Sequence, residues 1–407
     1  MILIKDATII TQNQQRRIIK GGAVLVEGQY ITAIGPSQKI EKKYRRAAKK
    51  TIDGRGQVVM PGLINCHTHA AMALLRGWAD DLPLKQWLEE KIWPCEAKLK
   101  PADIARGTAI ACAEMTASGT TTFNNMYWQP AMEIKAAQQA GLRDFVGLVA
   151  LEKGMNFGPG YIEKTYYKLK SQIDDKIRLT IAPHALYTVS EKTLQWCGGF
   201  AEKNNLLLHI HLSETEQEVK NCLKQHRCRP VEYLAKIGFL NPRVIAAHGC
   251  WLSDKEIKIL ARQRVSVIHC PTSNLKLASG VMPLSKLLAA GVNVSLGTDG
   301  PASNNSLDMF SEMKIAALIH KWHEKNPAAA PAQIILDMAT INGAKTLKME
   351  KEIGSLEIGK KADIIMLKFN QPHLTPCFNP VSHLVYAARG ADVALTMVDG
   401  KIIVKEN

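Results

Sequence analysis

Between residues 58 and 300 the chain alternates short apolar runs with segments of helical period, and this constrains the fold more than any other feature. The runs are VVMPGLINCHTH (58–69), TTTFNNMYW (120–128), RDFVGLVAL (143–151), IRLTIAPHA (177–185), NLLLHIHLSE (205–214), VIAAHG (244–249), VSVIHCP (265–271) and NVSLGTDG (293–300). Helical spacing falls between them, over 101–117, 131–140, 190–204, 253–263 and 281–290. Short buried strands alternating with helices are the signature of βα units and a parallel sheet. Eight such units in a stretch of this length fit a closed (β/α)₈ barrel better than an open doubly wound sheet.

The two chain ends follow a different grammar. MILIKDATII, GGAVLVEGQYITAIG and TIDGRGQVVM at the start, with GSLEIGKKADIIMLK and VALTMVDGKIIVKEN at the end, alternate apolar and polar residues between glycine turns. The expected α/β architecture is therefore a small β-sandwich from residues 1–57 and 353–407 around a barrel of residues 58–352.

In such a barrel the chemistry sits where the strands end. Six of the eight runs end in histidine or aspartate: His67/His69, His184, His209/His211, His248, His269 and Asp299. One histidine after an apolar stretch is ordinarily a hydrogen-bonded core residue; six endings on one face point to a metal. In HTH the imidazoles are two residues apart, so both turn to the same side of a strand. HIHLSE offers His209 and His211, of which His211 lies nearer the carboxyl end; His209 then belongs to the packed interior or supports the ligands from behind. Asp299 ends the eighth run beside the first. Three imidazoles, one carboxylate and a water suit Zn²⁺, or Fe²⁺ in a similar site.

Composition narrows the remaining classes. Nine cysteines without a C-x-x-C pair suit free thiols in a reducing compartment, and the absence of an apolar run long enough to span a bilayer or a secretory leader points to a cytoplasmic protein. The net charge of +15 is densest in KIEKKYRRAAKK (39–50), where only Tyr44 supplies an aromatic. That pattern reads as a solvated basic surface, with no nucleic acid or membrane expected as partner.

The segments PGLINCHTHA, HLSETEQE, AAHG, HCPTSNLKLASG and LGTDGPASNNSLDMF resemble the amidohydrolase superfamily over essentially the whole chain. The resemblance is closest to its 5′-methylthioadenosine/S-adenosylhomocysteine deaminase branch and the related chlorohydrolases. It implies one divalent metal per subunit on His67, His69, His211 and Asp299, with His184 of APHALY where two-metal members carry a bridging lysine. It also implies Asp299 as proton acceptor from water, Glu214 as proton donor to a ring nitrogen and His248 as the group that positions water or stabilises the intermediate. Glu96 of WLEEKIWPCEAKL is implied to contact ribose hydroxyls and His184 the substrate near ring and sugar. Trp87 and Trp93 are candidates for an aromatic pocket wall, and His269 for a supporting role.

The implied reaction is hydrolytic deamination of an adenine-type nucleoside to its inosine analogue and ammonia, in a possible homo-oligomer. Relatives that accept S-adenosylhomocysteine hold its carboxylate with an arginine after strand three and a second in the next loop. Here Leu148 stands at the first position and MNFGPGYIEK contains no arginine, with Lys153 a cation between the two that could compensate. A buried carboxylate without a cationic partner is costly, so the expected substrates have uncharged tails: 5′-methylthioadenosine, adenosine or 5′-deoxyadenosine. The alternatives are an aminohydrolase or chlorohydrolase acting on a triazine, pterin or guanine, or a basic scaffold that has kept an inactive barrel. The second lacks the H-x-E…P-C-x-x-C signature of nucleic-acid base deaminases.

Overall fold

A computed structural model of the chain describes residues 1–153 and 155–405; Gly154, Glu406 and Asn407, the last two closing the expected terminal unit, lie outside the described residues. Among the described residues sixteen strands form two sheets of eight. The first sheet joins both ends of the chain: β1 (Ile2–Ile10), β2 (Ile18–Glu27), β3 (Tyr30–Pro36), β4 (Lys50–Asp53) and β5 (Gln57–Pro61) meet β14 (Ile364–Lys368), β15 (Val393–Val398) and β16 (Lys401–Lys405). Its order is β16-β15-β14-β5-β1-β2-β3, with β4 alongside β1. The second sheet runs in sequence order: β6 (Leu63–Thr68), β7 (Thr120–Tyr127), β8 (Arg143–Ala150), β9 (Ile177–Pro183), β10 (Leu208–Leu212), β11 (Val244–His248), β12 (Ser266–His269) and β13 (Val294–Leu296). Every pairing between its neighbours is parallel. The fold is thus an α/β barrel of (β/α)₈ type carrying a small β-sandwich built from both ends.

The helices follow the periodicity closely. Pro101–Ala117, Pro130–Ala140, Glu191–Asn204, Asp254–Arg262 and Leu284–Ala289 lie where helical spacing places them. Ser190 and Ser253 cap two of them, accepting from the backbone N–H of Thr193 and Glu256. The basic run 39–50 falls partly on the helix Ser37–Tyr44, whose Ile40 and Tyr44 pack on Leu3, Ala23 and Leu25 while Lys39, Lys42 and Lys43 face solvent.

One apolar run is not a single strand. Residues 58–69 divide between the sheets: β5 pairs with β1 and β14, and β6 opens the barrel after Gly62. A Cβ on Gly62 would lie 2.2 Å from the Thr121 side chain, so only glycine fits this crossing. The units are also joined by charge. Buried Arg143, at the start of β8, pairs with Asp363 at 3.3 Å and Asp399 at 2.6 Å in the terminal unit.

The barrel closes where the chemistry is. Asp299 N–H donates to the carbonyl of His67 at 3.0 Å, and Asn65 bridges to Thr298 through its Oδ1 and Nδ2. Gly297 permits this approach, because a Cβ there would lie 2.8 Å from both Cβ and N of His67. Below this seam Ile64, Cys66, Phe145, Ile245 and Ile268 form an apolar plug, so the barrel is open only at its carboxyl face.

Candidate active site

His67 and His69, at the end of β6, His211, at the end of β10, and Asp299, after β13, converge above that plug. Asp299 Oδ1 lies 3.3 Å from His67 Nε2 and 3.2 Å from His69 Nε2, and the Nε2 atoms of His69 and His211 are 3.3 Å apart. Ligands at the Zn–N distance of about 2.05 Å span a tetrahedral edge of about 3.3 Å, the spacing seen here. Buried His67 Nε2 has no hydrogen-bond partner among the described residues, as befits a lone pair aimed at a cation. The donor set and spacing fit a divalent metal.

Each imidazole is turned by its second nitrogen. His69 Nδ1–H donates to the Met126 carbonyl at 2.6 Å, and His211 Nδ1–H to the His184 carbonyl at 2.7 Å, which frees both Nε2 atoms. His67 Nδ1 meets His209 Nε2 at 2.8 Å, so His209 stands behind His67, on the side away from Asp299. Burial lowers the His67 pKa to about 4 and holds that of His211 well below its ordinary value, keeping both neutral, as a ligand must be. Asp299 is drawn well below the carboxylate range although burial opposes this, because His67 and His69 face it.

Behind the metal position the site is braced by residues the sequence reading did not select. Ser273 Oγ and Ser303 Oγ donate to Asp299 Oδ2 at 2.6 and 3.1 Å, and Asn274 Oδ1 accepts from His248 Nδ1–H at 2.8 Å. Asn304 donates to the Thr298 carbonyl at 2.6 Å. These four residues belong to PTSN (271–274) and PASN (301–304), the same four-residue pattern directly after β12 and near β13. That repetition was the available signal.

His248 Nε2 faces the site and lies 3.8 Å from Glu214 Oε2. Glu214 accepts a hydrogen bond from Ser279 Oγ at 3.1 Å, and burial raises its pKa. The backbone N–H groups of Ser213 and Glu214 both donate to Glu218 at 2.8 Å, fixing the turn that presents Glu214. Ser213, His248 and Asp299 have φ of 49°, 75° and 60°, left-handed values that non-glycine residues adopt at a cost.

The chamber over these groups has a volume of about 60 Å³ and opens into an outer groove of about 760 Å³. Glu96, His184, Trp87 and Trp93 line the chamber. His184 Nδ1 bonds Thr188 Oγ1 at 3.0 Å, leaving its Nε2 side to the chamber. Two expectations fare differently. His269 turns away from the site and meets His320 at 3.0 Å, and Leu148 packs into the core between strand and helices while Val149 and Leu151 form the chamber wall. No arginine lines either cavity among the described residues; Lys85 and Lys153 stand on the outer groove.

A parallel barrel with three imidazoles and an aspartate at its carboxyl face, beside a buried carboxylic acid, defines a metal-dependent hydrolase. Residues 58–403 match the model of the amidohydrolase family. The chain belongs to that family. It is 46% identical to a 5′-deoxyadenosine deaminase of Methanosarcina acetivorans, across 99% of this chain and 92% of that one. It is 44% identical to a 5-methylthioadenosine/S-adenosylhomocysteine deaminase of Thermodesulfovibrio yellowstonii, across 99% and 93%. Among solved structures, an adenosine deaminase from Xanthomonas campestris with bound zinc superposes with a TM-score of 0.95 at 37% identity, covering 98% of this chain and 92% of its own.

Proposed function

We propose that the protein is a zinc-dependent aminohydrolase that converts adenine nucleosides with a short uncharged 5′ group, such as 5′-deoxyadenosine, 5′-methylthioadenosine and adenosine, to inosine analogues and ammonia. The observation that carries the reading is one apolar chamber lined both by the reacting set and by a second, buried carboxyl, Glu96. Relatives at 44–46% identity bear names of this activity. His67, His69, His211 and Asp299 would hold a divalent metal, which would lower the pKa of a bound water toward neutrality.

The protein's own groups do the rest. Asp299 takes the proton of the attacking water and returns it to the departing nitrogen. Glu214, whose pKa burial raises, gives its proton to the ring nitrogen next to the amino-bearing carbon, which makes that carbon electrophilic. His248, aligned by Asn274, directs Nε2 at the oxygen that adds to the ring. The carbon–nitrogen bond then breaks, ammonia leaves, and the proton still on the added oxygen returns to Glu214 as the carbonyl forms. Glu96 receives the ribose hydroxyls and His184 borders ring and sugar. Without arginine on the cavity walls, a carboxylate tail has only the exposed Lys85 and Lys153 of the outer groove to meet.

An ammonia-release screen of zinc-loaded protein against purine nucleosides, guanine, triazines and pterins tests the reading, with His67→Ala and Asp299→Ala as controls. Turnover of adenine nucleosides, lost in both controls, is the expected result. Turnover confined to a base without sugar overturns it, and elemental analysis of the purified protein tests zinc against iron.

A further inference from the structure

Glu96 is 2% exposed, and its only hydrogen-bond donor among the described residues is Tyr127, whose hydroxyl reaches Oε1 at 2.7 Å. No lysine, arginine or histidine lies within ion-pair distance of it among the described residues. Tyr127 ends β7, stacks on Trp128 with ring centroids 4.0 Å apart, and lines the same chamber. The phenol is thus held rigidly with its hydroxyl on one carboxylate oxygen.

We infer that Tyr127 is the positioning residue that makes Glu96 a receptor for a vicinal diol: by donating to Oε1 it fixes the carboxyl in place and turns Oε2 to the two ribose hydroxyls. This rests on the nucleoside reading above. An ionised carboxylate offers about four acceptor sites and no donor. One is filled by Tyr127, so the remaining acceptor capacity complements two adjacent O–H groups. Burial with a single donor raises the Glu96 pKa to about 8, and hydroxyls donating from a ligand supply what is missing. Without the phenol the carboxyl loses its one fixed hydrogen bond, is free to turn, and no longer holds Oε2 toward two adjacent donors. Lone hydroxyls or deoxy sugars do not complete the set in either case.

The test compares kcat/KM of zinc-loaded wild type and Tyr127→Phe for 5′-deoxyadenosine and its 2′,3′-dideoxy counterpart. Phe keeps the ring and its stacking on Trp128 and removes only the hydroxyl. Wild type is expected to favour the diol substrate, and in Tyr127→Phe this preference shrinks about tenfold, the worth of one hydrogen bond to a charged group, through KM of the diol substrate. In a Glu96→Gln background the Tyr127→Phe change leaves the ratio where Glu96→Gln put it. An undiminished preference in Tyr127→Phe, or an equal loss for both substrates, overturns the inference while leaving Glu96 as the sugar contact. A wild type indifferent to the hydroxyls overturns the Glu96 reading itself, and this inference with it.

Discussion

Replacing Gly297 by alanine tests whether the closing seam of the barrel and the metal position are one structure. The added Cβ would lie 2.8 Å from His67 Cβ, 2.8 Å from its N and 2.9 Å from its O. Two of those are backbone atoms, which no rotamer change can move. Relief requires separation from 2.8 to at least 3.4 Å, a displacement of about 0.6 Å between the segment carrying Asp299 and the strand carrying His67. The 3.0 Å hydrogen bond from Asp299 N to His67 O would stretch past the hydrogen-bond limit. The 3.3 Å spacing of Asp299 Oδ1 and His67 Nε2 would leave the tolerance of about 0.2 Å on metal–ligand distances. Overpacking of this kind costs about 1–3 kcal/mol in stability, and displaced ligands about 10- to 100-fold in metal affinity. Zinc affinity by chelator competition, with thermal unfolding in parallel, reads both. Gly198→Ala serves as control: Gly198 lies in the helix Glu191–Asn204 with nothing within 4 Å of an added Cβ, so about 0.4–1 kcal/mol of stabilisation and unchanged zinc affinity are expected. A Gly297→Ala protein with wild-type zinc affinity would refute the reasoning, because the seam would then be free to part without disturbing the ligands.

Asn274→Ala frees His248 Nδ1 and is expected to lower kcat about 10- to 100-fold with zinc content unchanged, measured by steady-state kinetics beside elemental analysis; parallel loss of zinc would contradict it. Glu96→Gln is expected to flatten the pH dependence of stability. The Glu96 carboxyl is raised from 4.5 to about 8 in the folded protein, so the folded state holds the proton longer than the unfolded one and wild-type stability falls as pH rises between those values. The variant's advantage should therefore be absent near pH 4 and fully developed above pH 8, as read by denaturant unfolding. Finally, 5′-deoxyadenosine and 5′-methylthioadenosine should be deaminated more than about tenfold more efficiently than S-adenosylhomocysteine in competition assays; the reverse order would assign Lys85 or Lys153 a role in binding the tail carboxylate.

Periodicity and strand-end chemistry made much of this protein readable in advance. A repeat of buried strand and amphipathic helix can satisfy its backbone and cover both faces of a parallel sheet in few ways, so the barrel follows from local pattern. A strand that ends in histidine on the inward side has its ligand placed by the period of two, which is why His67, His69 and His211 stood out. Side chains that act on other side chains left weaker marks. Ser273, Ser303 and Asn274 are common polar residues, and only the recurrence of P-x-S-N set them apart. The run 58–69 was illegible as two strands because both sheets demand the same apolar residues; the glycine crossing at 62 separates them through contact with Thr121, a neighbour 59 positions away.

The sequence by itself therefore determined most of the elements, their order and which side chains could offer donor atoms at the strand ends, since these depend on neighbours within a few residues. Only the tertiary structure decided which nitrogen of each imidazole is free, that His209 backs His67, that His269 turns to His320, and that Tyr127 reaches Glu96. Those outcomes depend on hydrogen bonds between residues as many as 142 positions apart, whose geometry exists only once the barrel has closed.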